Sequence, residues 1–169
     1  VSVQYNSKII TDGLVLCLDA ANPKSYGGSG TTWTDLSGLG NTGTLVNGVG
    51  YSSGNGGSLS FDGTSAYVNL STLANFNFGS TISVFIWHYN IGGDYRGVVA
   101  NTYSTTAGFD LRYGREDYFG GANNGTRLLA IVRASSGSPL LALPIYSQLN
   151  VWGNYGFVYN GSSLVSYKN

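Results

Sequence analysis

The reading of the fold starts from Gly13 to Leu70. This stretch opens Gly13-Leu14-Val15-Leu16-Cys17-Leu18-Asp19-Ala20-Ala21-Asn22-Pro23-Lys24-Ser25-Tyr26 and continues through Thr31-Thr32-Trp33-Thr34-Asp35-Leu36-Ser37-Gly38. After a Gly/Asn-rich gap it closes with Gly57-Ser58-Leu59-Ser60-Phe61-Asp62-Gly63-Thr64-Ser65-Ala66-Tyr67-Val68-Asn69-Leu70. Short apolar runs, each ended by Gly, Asn, Asp or Ser, are what an antiparallel β-structure with tight turns requires. Helical periodicity is absent over any useful length, and the expected fold class is all-β.

Working outward, Thr81 to Tyr89 is the longest strand candidate. Its alternation places Ile82, Val84 and Ile86 on one face and Phe85, Trp87 and Tyr89 on the other. Ser58–Phe61 and Tyr67–Leu70 also alternate. Further strands are expected at Gly97–Asn101, Phe109–Tyr113, Leu128–Arg133, Tyr155–Tyr159 and Leu164–Tyr167. Leu140–Leu143, ahead of Pro144, is a weaker candidate. The one helix candidate is a short turn near Ser71–Asn75. Turns are expected at Asn47-Gly48 and Asn160-Gly161, among others. Ile82, Val84 and Ile86 are expected to share a core face with Leu16, Leu18, Phe61 and Val158.

Composition narrows the function classes. The 169 residues suit one domain with a sizeable core. Only 9% of residues are charged and the formal net charge is zero, which argues against nucleic acid as the main partner. No apolar run approaches the roughly 18 residues of a membrane span, so membrane insertion is not expected. Aromatic and β-branched residues are too frequent for disorder. A neutral, Tyr/Gly/Asn-rich surface suits a protein within an assembly, or one that touches neutral polymers such as glycans. Cys17 is the single cysteine, so no intrachain disulfide forms; a buried, inert thiol is expected.

The wording of these runs resembles the laminin-G/pentraxin-like branch of the concanavalin A-like lectin/glucanase superfamily. Leu14–Asp19 looks like its opening strand, Trp33–Gly38 its tryptophan-anchored turn, and Phe61-Asp62-Gly63 its following strand. Ile82–Trp87 looks like the central strand. Val151–Leu164 resembles the late hairpin, in which the turn continues through Ser162 and Ser163. Tyr89 to Asn150 matches poorly. The resemblance implies one antiparallel jelly-roll β-sandwich over residues 1–169, apparently incomplete at its C-terminal end. The phrase Asp19-Ala20-Ala21-Asn22-Pro23-Lys24-Ser25-Tyr26 is similar to modules on structural proteins of tailed bacteriophages. That implies a virion-surface protein, decorating a capsid or fibre and adhering to host glycans. A purely architectural cement or fibre subunit, and an extracellular bacterial adhesin module, are the alternatives.

Enzymatic members of that superfamily carry paired glutamates on one strand. Here the sole glutamate, Glu116, stands beside Asp117, and adjacent strand residues point to opposite faces. No hydrolase activity is expected. His88, the only histidine, is expected to pack across strands. The resemblance brings Ca²⁺ into question as the one candidate cofactor. In the family pattern Phe-Asp-Gly-x-x-Asp-Tyr-Val the second Asp is a frequent ligand, and Ala66 stands in its place. The remaining oxygen donors are Asp19, Asp35 and Asp62, each of which has the commoner role of capping loop N–H groups. For glycan or partner binding, the aromatic and amide candidates outside the expected strands are Tyr26, Trp33, Tyr95, Tyr103, Tyr118 and Asn123. Leu164, Val165 and Tyr167 are expected to need a partner strand, from further residues or from a neighbouring subunit in a homo-oligomer or lattice.

Overall fold

The computed structural model describes residues 10–70, 81–92, 97–101, 108–113, 127–133 and 139–169. All regular structure there is strand apart from one 3-10 turn at Gly54–Gly56. The chain divides into two compact units, Val1–Ala74 and Asn75–Asn169. The expected helical turn near Ser71–Asn75 lies outside the described residues.

The N-terminal unit holds five short strands: β1 (Thr32–Trp33), β2 (Gly43–Val46), β3 (Gly50–Ser52), β4 (Ser58–Ser60) and β5 (Tyr67–Asn69). They form an antiparallel sheet in the order β1-β2-β5 and a separate β3-β4 hairpin. Asn47 and Gly48 both adopt positive φ, 59° and 74°, which makes the sharp turn out of β2. Leu18, Val68 and Leu70 close on Gly43, where a Cβ would lie 2.7 Å from Val68 Cγ1.

Leu14–Leu18 is not the expected strand. Its backbone groups go to loop side chains and backbone instead of a ladder. The Cys17 N–H donates to Asp35 Oδ1 at 2.9 Å, and Asn41 Nδ2 donates to the Val15 carbonyl at 2.7 Å. The Leu36 N–H donates to the Cys17 carbonyl at 2.8 Å. Backbone donors and acceptors seek partners, and the Val15 carbonyl and both Cys17 backbone groups find theirs without sheet pairing.

The described residues of the C-terminal unit form seven strands: β6 (Ile82–Tyr89), β7 (Gly97–Ala100), β8 (Gly108–Tyr113), β9 (Arg127–Arg133), β10 (Pro139–Tyr146), β11 (Trp152–Tyr159) and β12 (Leu164–Lys168). They form two antiparallel sheets, β12-β11-β6 and β10-β9-β8-β7. The sheets share one core. Phe109, Leu111, Tyr113, Leu128, Ala130, Val132 and Ile145 come from the four-stranded sheet, and Tyr155, Phe157, Tyr159 and Leu164 from the three-stranded one. Leu128–Val132 is buried on both faces, so this strand reads as an unbroken apolar run rather than an alternation. A register shift between Gly97 and Val99 marks a bulge in β7, and the consecutive Val98 and Val99 both pack against the core.

Two expectations are corrected here. Strand β10 runs through Pro144 to Tyr146, because β10 is the edge of its sheet and an edge strand tolerates a missing N–H. The core partners of Ile82, Val84 and Ile86 also differ. These three do pack against the core, but opposite Tyr159, Phe157 and Tyr155. Val158 pairs with Ser83 on the opposite face, since side chains alternate with period two. Phe61 is 43% exposed, and Leu16 and Leu18 are half-buried within the N-terminal unit. The Asn160–Ser163 turn does continue as expected: Asn160 Oδ1 accepts from the N–H groups of Ser162 and Ser163, at 3.0 and 2.8 Å.

Candidate functional site

The outer face of the β12-β11-β6 sheet collects side chains that a soluble protein ordinarily buries. From β6 it takes Phe85, Trp87 and Tyr89, with Trp87 64% exposed and Phe85 53% exposed. Register aligns these rows with β11: Tyr89 stands opposite Trp152, Trp87 opposite Asn154, and Phe85 opposite Gly156. From β12, Tyr167 stands opposite Gly156 and Val165 opposite Val158. Tyr89 and Trp152 make a tilted ring pair at 5.6 Å, and Phe85 and Tyr167 another at 5.7 Å. Ile91 and Val151 extend the exposed apolar surface beyond the Tyr89–Trp152 end.

The local sequence explains this surface. Strand β6 is apolar at every position but Ser83 and His88, so burying Ile82, Val84 and Ile86 leaves its aromatics facing out. Gly156 supplies the floor of the middle row. A side chain there would collide with the Phe85 ring and the Val84 carbonyl, so glycine lets two rings from non-adjacent strands meet over it. Among the described residues the face carries no charged side chain: its residues are Ser83, Phe85, Trp87, Tyr89, Trp152, Asn154, Gly156, Val158, Val165 and Tyr167. Chemically it offers flat π-surfaces, phenol hydroxyls and one amide.

Beneath one end of this sheet lies a buried polar network. His88 Nδ1 and the Tyr113 hydroxyl are 3.0 Å apart, and the rings stack obliquely at 5.6 Å. Ser147 hydrogen-bonds the Tyr113 hydroxyl and accepts from Asn90 Nδ2 at 2.9 Å. Burial pushes the Tyr113 phenol up to about 12, with Tyr155 adding to the shift and the Ser147 bond opposing it. Burial pushes the His88 imidazole below its ordinary value. Both groups are therefore neutral near pH 7 and hold the ends of β6 and β8 together. On the other face of β8, Asp110 pairs with Arg112 at 3.2 Å. Burial still raises the Asp110 carboxyl, outweighing the pull of Arg112 and Arg133.

Of the aromatic and amide residues singled out from sequence, the two that are described, Tyr26 and Trp33, lie in the N-terminal unit. Tyr26 is 4% exposed, with its hydroxyl donating to the Gly30 carbonyl at 2.9 Å and its ring against Tyr51. It is an anchor of the N-terminal unit, not an exposed platform. Trp33 is half-buried in β1, and its Nε1 has no hydrogen-bond partner among the described residues. Tyr95, Tyr103, Tyr118 and Asn123 lie outside the described residues, as do Glu116 and Asp117.

The three aspartates act on loop donors. Asp35 Oδ1 accepts from the N–H groups of Cys17 and Ser37, while Oδ2 accepts from the Asn41 N–H and the Ser37 hydroxyl. Burial raises its carboxyl, but the bonds from Ser37, Cys17 and Asn41 overcome this and hold it below the usual range. Asp62 accepts from the N–H groups of Thr64, Ser65 and Ala66 and from two hydroxyls, which hold it far below the usual range. Asp19 Oδ1 accepts from the Ala21 N–H. Among the described residues, no three acidic, cysteine or histidine side chains gather as metal ligands. The half-buried Cys17 thiol is pushed up by burial and by the charges of Asp19 and Asp35, which makes it a poor nucleophile.

Comparison with protein-family models, with curated proteins and with solved structures finds no match to this chain. The aromatic face lies within strands, whereas the binding candidates expected from sequence lie outside the expected strands. Its signal was the apolar pattern on both faces of Ile82–Tyr89. A solvent-facing strand side ordinarily reads as polar.

Proposed function

We propose that the chain is a non-enzymatic recognition module that adheres to neutral glycans through the outer face of the β12-β11-β6 sheet. The uncharged row of exposed aromatics at Phe85, Trp87, Tyr89, Trp152 and Tyr167 carries this reading. Monomeric soluble proteins rarely expose a contiguous apolar surface of more than a few hundred Å² without using it. The apolar C–H faces of pyranose rings stack on such side chains, while Tyr hydroxyls and Asn154 meet the sugar hydroxyls. A face without charge selects neutral sugars over acidic ones.

The wider setting in this proposal is a virion surface, on a capsid or fibre, with the concanavalin A-like jelly-roll sandwich as the fold. That part rests on the resemblance of Gly13–Leu70 and of the late hairpin. The same face would serve an architectural subunit equally in area, but the hydroxyls and amide favour a hydroxyl-rich ligand.

The test is retention on a panel of neutral and acidic polysaccharides, with Trp87→Ala and Trp152→Ala as variants. Binding to at least one neutral glycan, weakened roughly tenfold by either variant with unchanged melting, is the expected result. No retention on any glycan, or binding indifferent to both substitutions, would overturn the reading.

A further inference from the structure

We infer that strand β6 is a self-association edge: it pairs antiparallel with β6 of a second copy of this chain about a two-fold axis. Four observations lead there. First, β6 ends its sheet, and among the described residues no strand pairs with its other side. Second, the shared core is unevenly closed. On β11, inward-facing Tyr155 and Phe157 are 1% and 0% exposed, whereas Ile82, Val84 and Ile86 on β6 stay partly exposed. Val98 and Val99 on β7, the matching edge of the other sheet, are also only partly buried. On the opposite side β12 also ends the sheet, but it runs alongside β10.

Third, β6 has none of the devices that protect an edge. It is eight residues long, with an unbroken register against β11, and it contains no proline, lysine, arginine or acid. The absence of charge extends well beyond the strand: from Gly63 to Gly93 there is no Asp, Glu, Lys or Arg.

Fourth, this last property selects the occupant. A foreign strand recognised by charge would need a charged counterpart here, and none exists. A second β6 meets no like-charge repulsion, because the sole side chain able to carry a positive charge, His88, points inward onto Tyr113. The pairing is also self-complementary. Side chains alternate with period two, so a two-fold centred on Phe85 or Ile86 keeps outward residues opposite outward ones. With the axis on Phe85, Val84 and Ile86 of one copy stand opposite Ile86 and Val84 of the other, and two aromatic faces merge into one across a six-stranded sheet.

The experiment is sedimentation of the full chain over a wide concentration range, paired with amide hydrogen exchange of β6 and the variant Ser83→Lys. Ser83 is exposed and lies outside the aromatic row. The expected result is a monomer–dimer equilibrium, concentration-dependent protection of β6 amides, and association weakened about tenfold or more by the edge lysine. A monomer at every concentration overturns the proposal. So does a dimer whose β6 amides exchange as freely as in the monomer, a measurement on the unmodified chain that decides even if the variant fails to fold. Glycan binding by a monomer is unaffected by either outcome, so this inference and the platform reading fail separately.

Discussion

Phe85 and Tyr167 sit on strands that are not neighbours, yet their rings meet with centroids 5.7 Å apart and planes tilted by 49°. The strand between them contributes Gly156 at that row, and the contact exists because Gly156 has no side chain. Aromatic pairs of this geometry are worth about 0.5–1.5 kcal/mol beyond their area. One small residue thus joins the outer rows into a continuous surface.

Gly156→Ala is expected to destabilise the chain by about 1–3 kcal/mol, because the new methyl meets the Phe85 ring and the Val84 carbonyl. Denaturant melts followed by tryptophan fluorescence measure it. A melt unchanged from the parent would mean that Phe85 swings clear and the row is not continuous.

The register of β11 makes neighbouring positions unequal. Phe157 is fully buried in the shared core, and Val158 faces outward opposite Ser83. Phe157→Ala should cost about 3–5 kcal/mol through the cavity it leaves. Val158→Ala should cost less than about 1 kcal/mol. The reverse order in chemical denaturation would place the strand one residue out of register.

Asp35 holds the loop that replaces a first strand. Removing the carboxylate in Asp35→Ala leaves the N–H groups of Cys17, Ser37 and Asn41 without their acceptor, at a cost on the order of 3 kcal/mol. The pH dependence has a defined sign. The folded-state value lies below the ordinary 3.8, so this stabilisation is present above 3.8 and is lost as pH falls through the lower folded value. Acid melts of the parent and of Asp35→Asn should converge at low pH.

His88 works in the other direction along the pH scale. Burial lowers its folded-state value below 6.5, so below pH 6.5 the unfolded chain binds the proton first. Stability is therefore full above 6.5 and falls as pH drops below it, until the folded imidazole also protonates. Replacing the ring in His88→Phe should flatten melting temperature across that window, although it strips a partner from Tyr113. A parent whose melting temperature is constant from pH 7 to about 5 would remove His88 from the stability balance.

Much of the strand pattern was legible in the residues, because alternation and turn chemistry are local. The period-two pattern of Ile82–Tyr89 named both its core face and its aromatic face. Asn160–Ser163 announced its turn through its Asn-Gly start, and the Asn side chain accepts from the Ser162 and Ser163 N–H groups. Leu14–Leu18 was misleading, since an apolar run reads as a strand whether its backbone partners are a neighbouring strand or the side chains of Asp35 and Asn41. Pro144 was misleading for a related reason: proline is excluded from a sheet interior, and only the strand order shows that β10 is an edge.

The site divides along the same line. By itself the sequence determined an all-β chain of zero net charge with aromatics on one side of its longest strand, because composition and side-chain alternation do not depend on distant partners. Only the tertiary structure decided that Tyr26 is buried while Trp87 is exposed. It alone aligned Trp152 with Tyr89, brought Tyr167 to Phe85 over Gly156, and put β6 at the end of its sheet. Those outcomes depend on register and strand order, which arise from contacts between residues far apart in the chain and leave no local mark.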